Sequence, residues 1–217
     1  WVKVPRAKRS RMNSRSNNIE MNVSRETQDC LEAYIGLVEK WNPVINLIAK
    51  SSVSDIWHRH LEDSAQIVPR AQLGAYWIDI GSGGGFPGIV VAIILKENSP
   101  ETRVVLVESD ARKAAFLRQS VVVLGLNCQI HNARIESLSL PRASTVSARA
   151  LAPLPKLLEL TEGLVEPDGV CLLMKGQRHQ EELDAARKSW SFDCDITKSL
   201  TNADAAILEV RNIQRAA

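Results

Sequence analysis

The residues best placed to do chemistry lie in one run, Asp79-Ile80-Gly81-Ser82-Gly83-Gly84-Gly85-Phe86-Pro87-Gly88, and in a carboxylate further on, Glu108. Glycines let a chain turn sharply and let a ligand approach the backbone without meeting a Cβ. Pro87 suits the first turn of a helix, where its missing N–H costs little. Two ligand classes use such a run. A dinucleotide wants G-x-G-x-x-G, with its pyrophosphate at the helix N-terminus and an acid about 20 residues on. Here Phe86 stands in place of the third glycine, and Glu108 comes 27 positions after Gly81.

The other pattern, D-x-G-x-G-x-G of the S-adenosylmethionine (SAM) fold, is matched by Asp79, Gly81, Gly83 and Gly85. SAM has no pyrophosphate to cradle, but it has a ribose with two free hydroxyls, and Glu108 can accept hydrogen bonds from them. Asp79 can instead receive loop N–H groups and shape the turn. A nicotinamide- or flavin-dependent oxidoreductase stays as the alternative. Calorimetry with S-adenosylhomocysteine and with NADH separates the two.

Those residues need strands and helices to hold them. Tyr76–Ile80 reads as a short buried strand before the loop, with an apolar helix over about 87–96 after it. Strands are expected at 103–108, 128–132, 145–149, 169–175, 193–199 and 206–213. Helices are expected at 110–124, 154–164 and 178–189. Repeated βα units imply an α/β, Rossmann-like fold with a mainly parallel twisted sheet and helices on both faces. Ligands then bind at the carboxyl ends of the strands, where Arg149 and Lys175 close the fourth and fifth.

Upstream, Leu31, Tyr34, Ile35, Val38 and Trp41 recur at helical spacing, giving a helix over 25–41 with Ser24 as N-cap and Asn42-Pro43 as its end. Ser52-x-x-Asp55 reads as a capping box opening a second helix over 53–68. The division expected is 1–20 as a disordered basic extension, 21–70 as an N-terminal helical cap and 71–217 as the ligand-binding domain.

The chain has 217 residues and a net charge of +2. Residues 1–20 hold six basic residues against Glu20 alone, which leaves 21 basic and 24 acidic residues in 21–217. The body is therefore slightly acidic, and any grip on nucleic acid has to be local. The basic extension reads as an RNA-gripping arm, a transit peptide or an upstream extension before a natural start at Met21; the last is preferred, because helical patterning begins only after Met21. The longest apolar run, Ile89–Leu95, is far short of the roughly 20 residues that span a bilayer, so a cytoplasmic protein is expected. Cys30, Cys128, Cys171 and Cys194 form no C-x-x-C pair, which argues against zinc and disulfides. His58 and His60 are two apart and do not share a helix face, so no metal site is expected.

At family level the chain resembles the RsmG/GidB guanine-N7 methyltransferases of small-subunit ribosomal RNA. The matching runs are Trp41-Asn42-x-x-x-Asn46-Leu47, Arg59-His60-Leu61-x-Asp63-Ser64, Gly81 to Gly88, Glu108-Ser109 with Lys113 and Phe116-Leu117-Arg118, Arg134-Ile135-Glu136, Ser147-Ala148-Arg149-Ala150 and Lys175-Gly176-Gln177. Glu108 stands where the family often has Asp, and Gly84 where Pro is common. The resemblance implies methyl transfer from SAM, with S-adenosylhomocysteine as product, to N7 of a guanine in 16S ribosomal RNA. It implies cofactor contacts from Gly81, Phe86, Ile135, Glu136 and Arg149, beside Asp79, Gly83, Gly85 and Glu108 of the motif.

N7 already has an in-plane lone pair and no proton, so that reaction needs no general base. The work is positioning, worth roughly 7–11 kcal/mol when the reacting atoms are held in line. The base must leave its stack to reach the methyl group. Candidates for RNA contact are Asn46, Arg59, His60, Arg118 and Lys175, with Arg149 and Lys175 as the pair nearest the chemistry. A monomer working on the small subunit is expected. A SAM-binding assembly factor without catalysis, and a methyltransferase for protein or small molecules, are the other readings.

Overall fold

A computed structural model of the protein describes residues 23–216. The expectations for residues 1–20 and for a start at Met21 lie outside that range. Helix α1 (Arg25–Ile45) begins at Ser24, whose hydroxyl accepts the Thr27 N–H. The helix does not stop at Asn42-Pro43 as expected; it runs one turn further. Pro43 removes one N–H near the helix end, and Asn46 caps the last turn in the left-handed region, φ 51°, with its N–H on the Asn42 carbonyl. The Asn42 side chain accepts from the Ile48 N–H at 2.9 Å, which turns the chain back toward the body.

The helix expected over 53–68 is present but irregular in pitch. A 3-10 segment (Lys50–Asp55) passes into a π-helical turn (Trp57–Glu62), one α-helical turn, α2 (Asp63–Ala65), and another 3-10 turn (Val68–Arg70). The Ser52 capping box does not form either: its hydroxyl donates to the Ala49 carbonyl at 2.8 Å and pairs with His60 Nε2 at 2.8 Å. Hydrogen bonds within this segment therefore overrode the local capping signal.

From residue 76 the expected alternation holds. The elements are β1 (Tyr76–Ile80), α3 (Gly88–Asn98), β2 (Arg103–Val107), α4 (Ala111–Leu124), β3 (Cys128–His131), β4 (Ala143–Arg149), α5 (Leu154–Thr161), β5 (Val165–Lys175), α6 (His179–Ala186), β6 (Trp190–Lys198) and β7 (Ala206–Arg215). They form one seven-stranded sheet in the order β3-β2-β1-β4-β5-β7-β6. The first five strands are parallel; β7 runs antiparallel to β5, and β6 to β7.

Every residue from Gly88 to Leu95 is buried, because α3 lies between the sheet and the helices α1 and α4. Leu31, Tyr34 and Val38 of α1 share one apolar cluster with Ile89, Leu106 and Phe116, so the N-terminal helix is part of the core on that face. The other face is closed by α5 and α6 over Ile78, Val146 and Leu173. The strand order reverses between β1 and β4, and the crevice at their carboxyl ends is the ligand position of such sheets.

Candidate functional site at the switch point

Three strand ends meet at the crevice. At the end of β1, Asp79 is fully buried and its Oδ1 accepts the Ser147 hydroxyl of β4 at 2.7 Å, across a register in which the two residues are partners. Its Oδ2 has no hydrogen-bond partner among the described residues and faces Gly88, where an added Cβ would sit 2.6 Å away. Burial pushes its carboxyl up to about 6, against the pull of the Ser147 and Ser82 hydroxyls and of Arg149.

The glycines divide into two kinds. Gly81 and Gly83 lie at the crevice with φ 70° and 56°, and a Cβ on Gly81 would meet the Leu151 side chain at 2.6 Å. Gly85 faces inward instead: a Cβ there would strike the Tyr34 hydroxyl and Ile89. Tyr34 of α1 donates to the Gly84 carbonyl, so the N-terminal helix holds the loop from behind.

Glu108, just after β2, is buried; Oε2 accepts the Gly83 N–H at 2.8 Å and Oε1 the Asp110 N–H at 2.7 Å. It fastens the loop, and each oxygen keeps a second acceptor direction. Beyond β3, Ile135 and Glu136 form a short 3-10 turn. With Gly81, Ser109 and Leu151 they line a small cleft of about 70 Å³.

Across Leu151 lies a larger cleft of about 430 Å³, lined among others by Asp63, Arg149, Lys175, Arg178, Glu182 and Ser199. Arg149, at the end of β4, donates to Asp63 Oδ2 at 3.0 Å and contacts His60 Nδ1 at 3.1 Å. Its guanidinium lies 5.5 Å from the centre of the Phe86 ring, which is itself 5.1 Å from the His60 ring. Since Arg149 can only donate, His60 Nδ1 is the acceptor and Nε2–H donates to Ser52. Burial and the Arg149 charge pull His60 down to about 4, with Asp63 pulling the other way, so the ring is neutral near pH 7.

Asp63 Oδ1 also accepts from Gln66 and Thr201, at 2.8 and 2.7 Å. His60 and Asp63, three residues apart on this helical stretch, meet the same guanidinium.

The structure thus brings Gly81, Ile135 and Glu136 to one cleft and Arg149 and Lys175 to the other. Asp79, Gly85 and Phe86 lie beneath the crevice, with Phe86 only 5% exposed. Asn46, Arg59 and Arg118 are exposed and line neither cleft. His58 pairs with the buried Glu62 at 2.7 Å. Sequence reasoning gave no role to Tyr34, Asp63, Leu151 or Glu182. Asp63 alone carried a signal, as a member of the Arg59-to-Ser64 run.

A model of the GidB family, described as rRNA small subunit methyltransferase G, matches residues 27–212. The ribosomal RNA small subunit methyltransferase G of Ruegeria sp. (strain TM1040) is 43% identical over 204 residues, covering 94% of this chain and all of the relative. That of Cereibacter sphaeroides (strain ATCC 17025 / ATH 2.4.3) is 50% identical over 192 residues, 88% of this chain and 92% of the relative. Among solved structures, the O-methyltransferase from Bacillus cereus in complex with SAH covers 89% of this chain and 94% of its own, with TM-score 0.56 and 15% identity. P. horikoshii TYW2 in complex with MeSAdo covers 80% of this chain and 67% of its own, with TM-score 0.58 and 9% identity. These two likenesses support the class I methyltransferase fold.

Proposed function

The chain belongs to the GidB family of small-subunit ribosomal RNA methyltransferases, and from that premise we propose that it transfers the methyl group of SAM to N7 of a guanine in 16S ribosomal RNA. The observation that carries this reading is the pair of clefts meeting at Leu151: a glycine-walled one at the ends of β1 to β3, and a wider, charged one at the ends of β4 and β5. The fit to the cofactor rests on the left-handed, side-chain-free backbone of Gly81 and Gly83 and on the free acceptor directions of Glu108.

Gly81, Gly83, Ile135 and Glu136 would hold the cofactor, with Glu108 accepting from ribose hydroxyls. Asp79, Gly85 and Phe86 support it from below, and any contact from Phe86 comes through its backbone. SAM supplies an electrophilic methyl on a sulfonium. Everything else this chain does is positioning. Arg149, held by Asp63 and His60 in one orientation, presents a fixed cation at the junction of the clefts. The base enters the wider cleft unstacked. Arg59, Arg118 and Asn46, exposed outside both clefts, would meet the RNA backbone. Residues 23–70 act as the cap that fixes loop and arginine. No helix of the described residues is long and apolar enough to cross a membrane. The protein acts in the cytoplasm as a monomer on the small subunit or its late precursor.

The test is transfer of labelled methyl from SAM to unmethylated small subunits, followed by nucleoside analysis. Label in 7-methylguanosine is the expected result. Label in another nucleoside, or none, overturns the reading.

A further inference from the structure

Beside Arg149 the wider cleft holds a second charged group, the pair formed by Lys175 at the end of β5 and Glu182 on α6, 2.6 Å apart. Lys175 is 8% exposed and Glu182 24%. Lys175 also donates to the Ala152 carbonyl at 2.8 Å, and Glu182 Oε2 accepts the Leu154 N–H at 2.7 Å. The pair therefore fastens Ala152 and Leu154, just after Leu151, the residue shared by the two clefts. Two of the three Lys175 N–H groups are accounted for, and Glu182 Oε1 has no protein donor among the described residues. One donor and one acceptor thus stand side by side in the wall of the cleft. A pair held this far from water gains only if its remaining hydrogen-bonding capacity is met.

Resting on the function proposed above, we propose that Lys175 and Glu182 read the Watson–Crick edge of the target guanine, Lys175 donating to O6 and Glu182 Oε1 accepting from N1–H. Guanine sets an acceptor next to a donor on that edge, the complement of the pair; adenine sets a donor next to an acceptor and is refused. Uracil shares guanine's pattern but has no N7 to methylate. Two charge arguments favour a base over a phosphate here. Glu182 cancels the field of Lys175 and would repel a phosphate at hydrogen-bond range. A neutral pair also spares the cationic 7-methylguanine product a repulsion that an unpaired lysine would impose. Arg178, exposed on the same cleft, is left for the phosphate.

The experiment is a cycle between protein and base. Wild type and Glu182→Gln are compared in single-turnover methyl transfer to reconstituted small subunits carrying guanosine or 2-aminopurine at the target; the latter keeps N7 and lacks O6 and N1–H. Glutamine still offers Leu154 an acceptor, so the clamp survives. With guanosine, Glu182→Gln should lower the rate about 10- to 100-fold, as expected for losing one good base contact. Wild type should lose more than that on 2-aminopurine, which removes both contacts, and on that base Glu182→Gln should cost little further. Affinity for S-adenosylhomocysteine should stay within about twofold.

Equal penalties from Glu182→Gln on both bases would overturn the proposal and leave Glu182 a structural clamp. No transfer by wild type to the guanosine subunits would instead overturn the underlying function, so the two failures are distinct. Should Glu182→Gln unfold, Glu182→Asp serves the same cycle.

Discussion

The two clefts on either side of Leu151 are built by different means. The one at the ends of β1 to β3 is walled by Gly81 at positive φ, Ser109, Ala133 and the 3-10 turn of Ile135 and Glu136, beside a loop fastened by the Glu108 carboxylate. Apart from Leu151 and Leu160, its lining comes from residues 81 to 136, within consecutive βα units. The one at the ends of β4 and β5 is made of long charged side chains, Asp63, Arg149, Lys175 and Glu182, gathered from segments more than 80 residues apart in the chain and tied by ion pairs. A small ligand of fixed shape can be met by a rigid turn. A nucleotide of a large RNA has to be met by groups that point, and each of these is aimed by a neighbour.

That contrast is open to breaking, beginning with the glycine side. Gly81→Val puts a branched side chain where φ is +70° and Leu151 already fills the space. Binding of S-adenosylhomocysteine should fall at least about 100-fold by calorimetry, as expected for strain and a blocked site together. Retained affinity would show that the ligand does not use this turn. On the charged side, Arg149→Ala should cut methyl transfer to small subunits by about 100-fold, the scale of losing correct placement, while the protein stays folded by circular dichroism. An unchanged rate would remove Arg149 from the chemistry.

Acid sharpens the comparison, because each side holds one displaced group. His60, lowered to about 4, stays neutral in the fold while the unfolded chain takes up a proton, so its contribution to stability falls as pH drops from 6.5 toward about 4. Asp79, raised to about 6, takes its proton first in the folded state, so its contribution rises as pH drops from about 6 to 3.8. The two oppose each other over most of that window. Asp79→Asn should therefore steepen the loss of Tm between pH 6.5 and 4, and His60→Gln should flatten it. Parallel profiles in wild type and both variants would show that neither group is displaced as described. The smallest effect is expected at Tyr34→Phe, which removes one hydrogen bond to the Gly84 carbonyl behind the loop. Its loss, about 1 kcal/mol, should weaken S-adenosylhomocysteine binding by about fivefold. No change in affinity would show that the loop holds itself.

The same division explains what could be read from the amino acids. All seven strands and the glycine loop were legible, since Tyr76–Ile80 and Arg103–Val107 signal buried strands through local residue types alone. The helical pattern over 53–68 is legible, but its irregular pitch is not, because the bonds that accompany it reach beyond the local pattern: His60 bonds Ser52 and Arg149, and Asp63 bonds Arg149 and Thr201. Glu182 carried no signal, because its partner is set by where β5 and α6 come together. The sequence does not show that the Phe86 ring and the Cα of Gly85 face inward, against Tyr34, His60 and Ile89. Motif letters do not say which glycines face outward.

The π turn at Trp57–Glu62 also governs how this stretch can change in length. A π turn holds one residue more than an ordinary turn, so removing one residue lets the backbone relax to an α-helical turn with the segments on either side still in register. In a regular α-helix the same deletion would swing everything downstream by about 100° about the axis. A single-codon deletion ahead of His60 should therefore disturb Arg149 far less than a substitution at that residue.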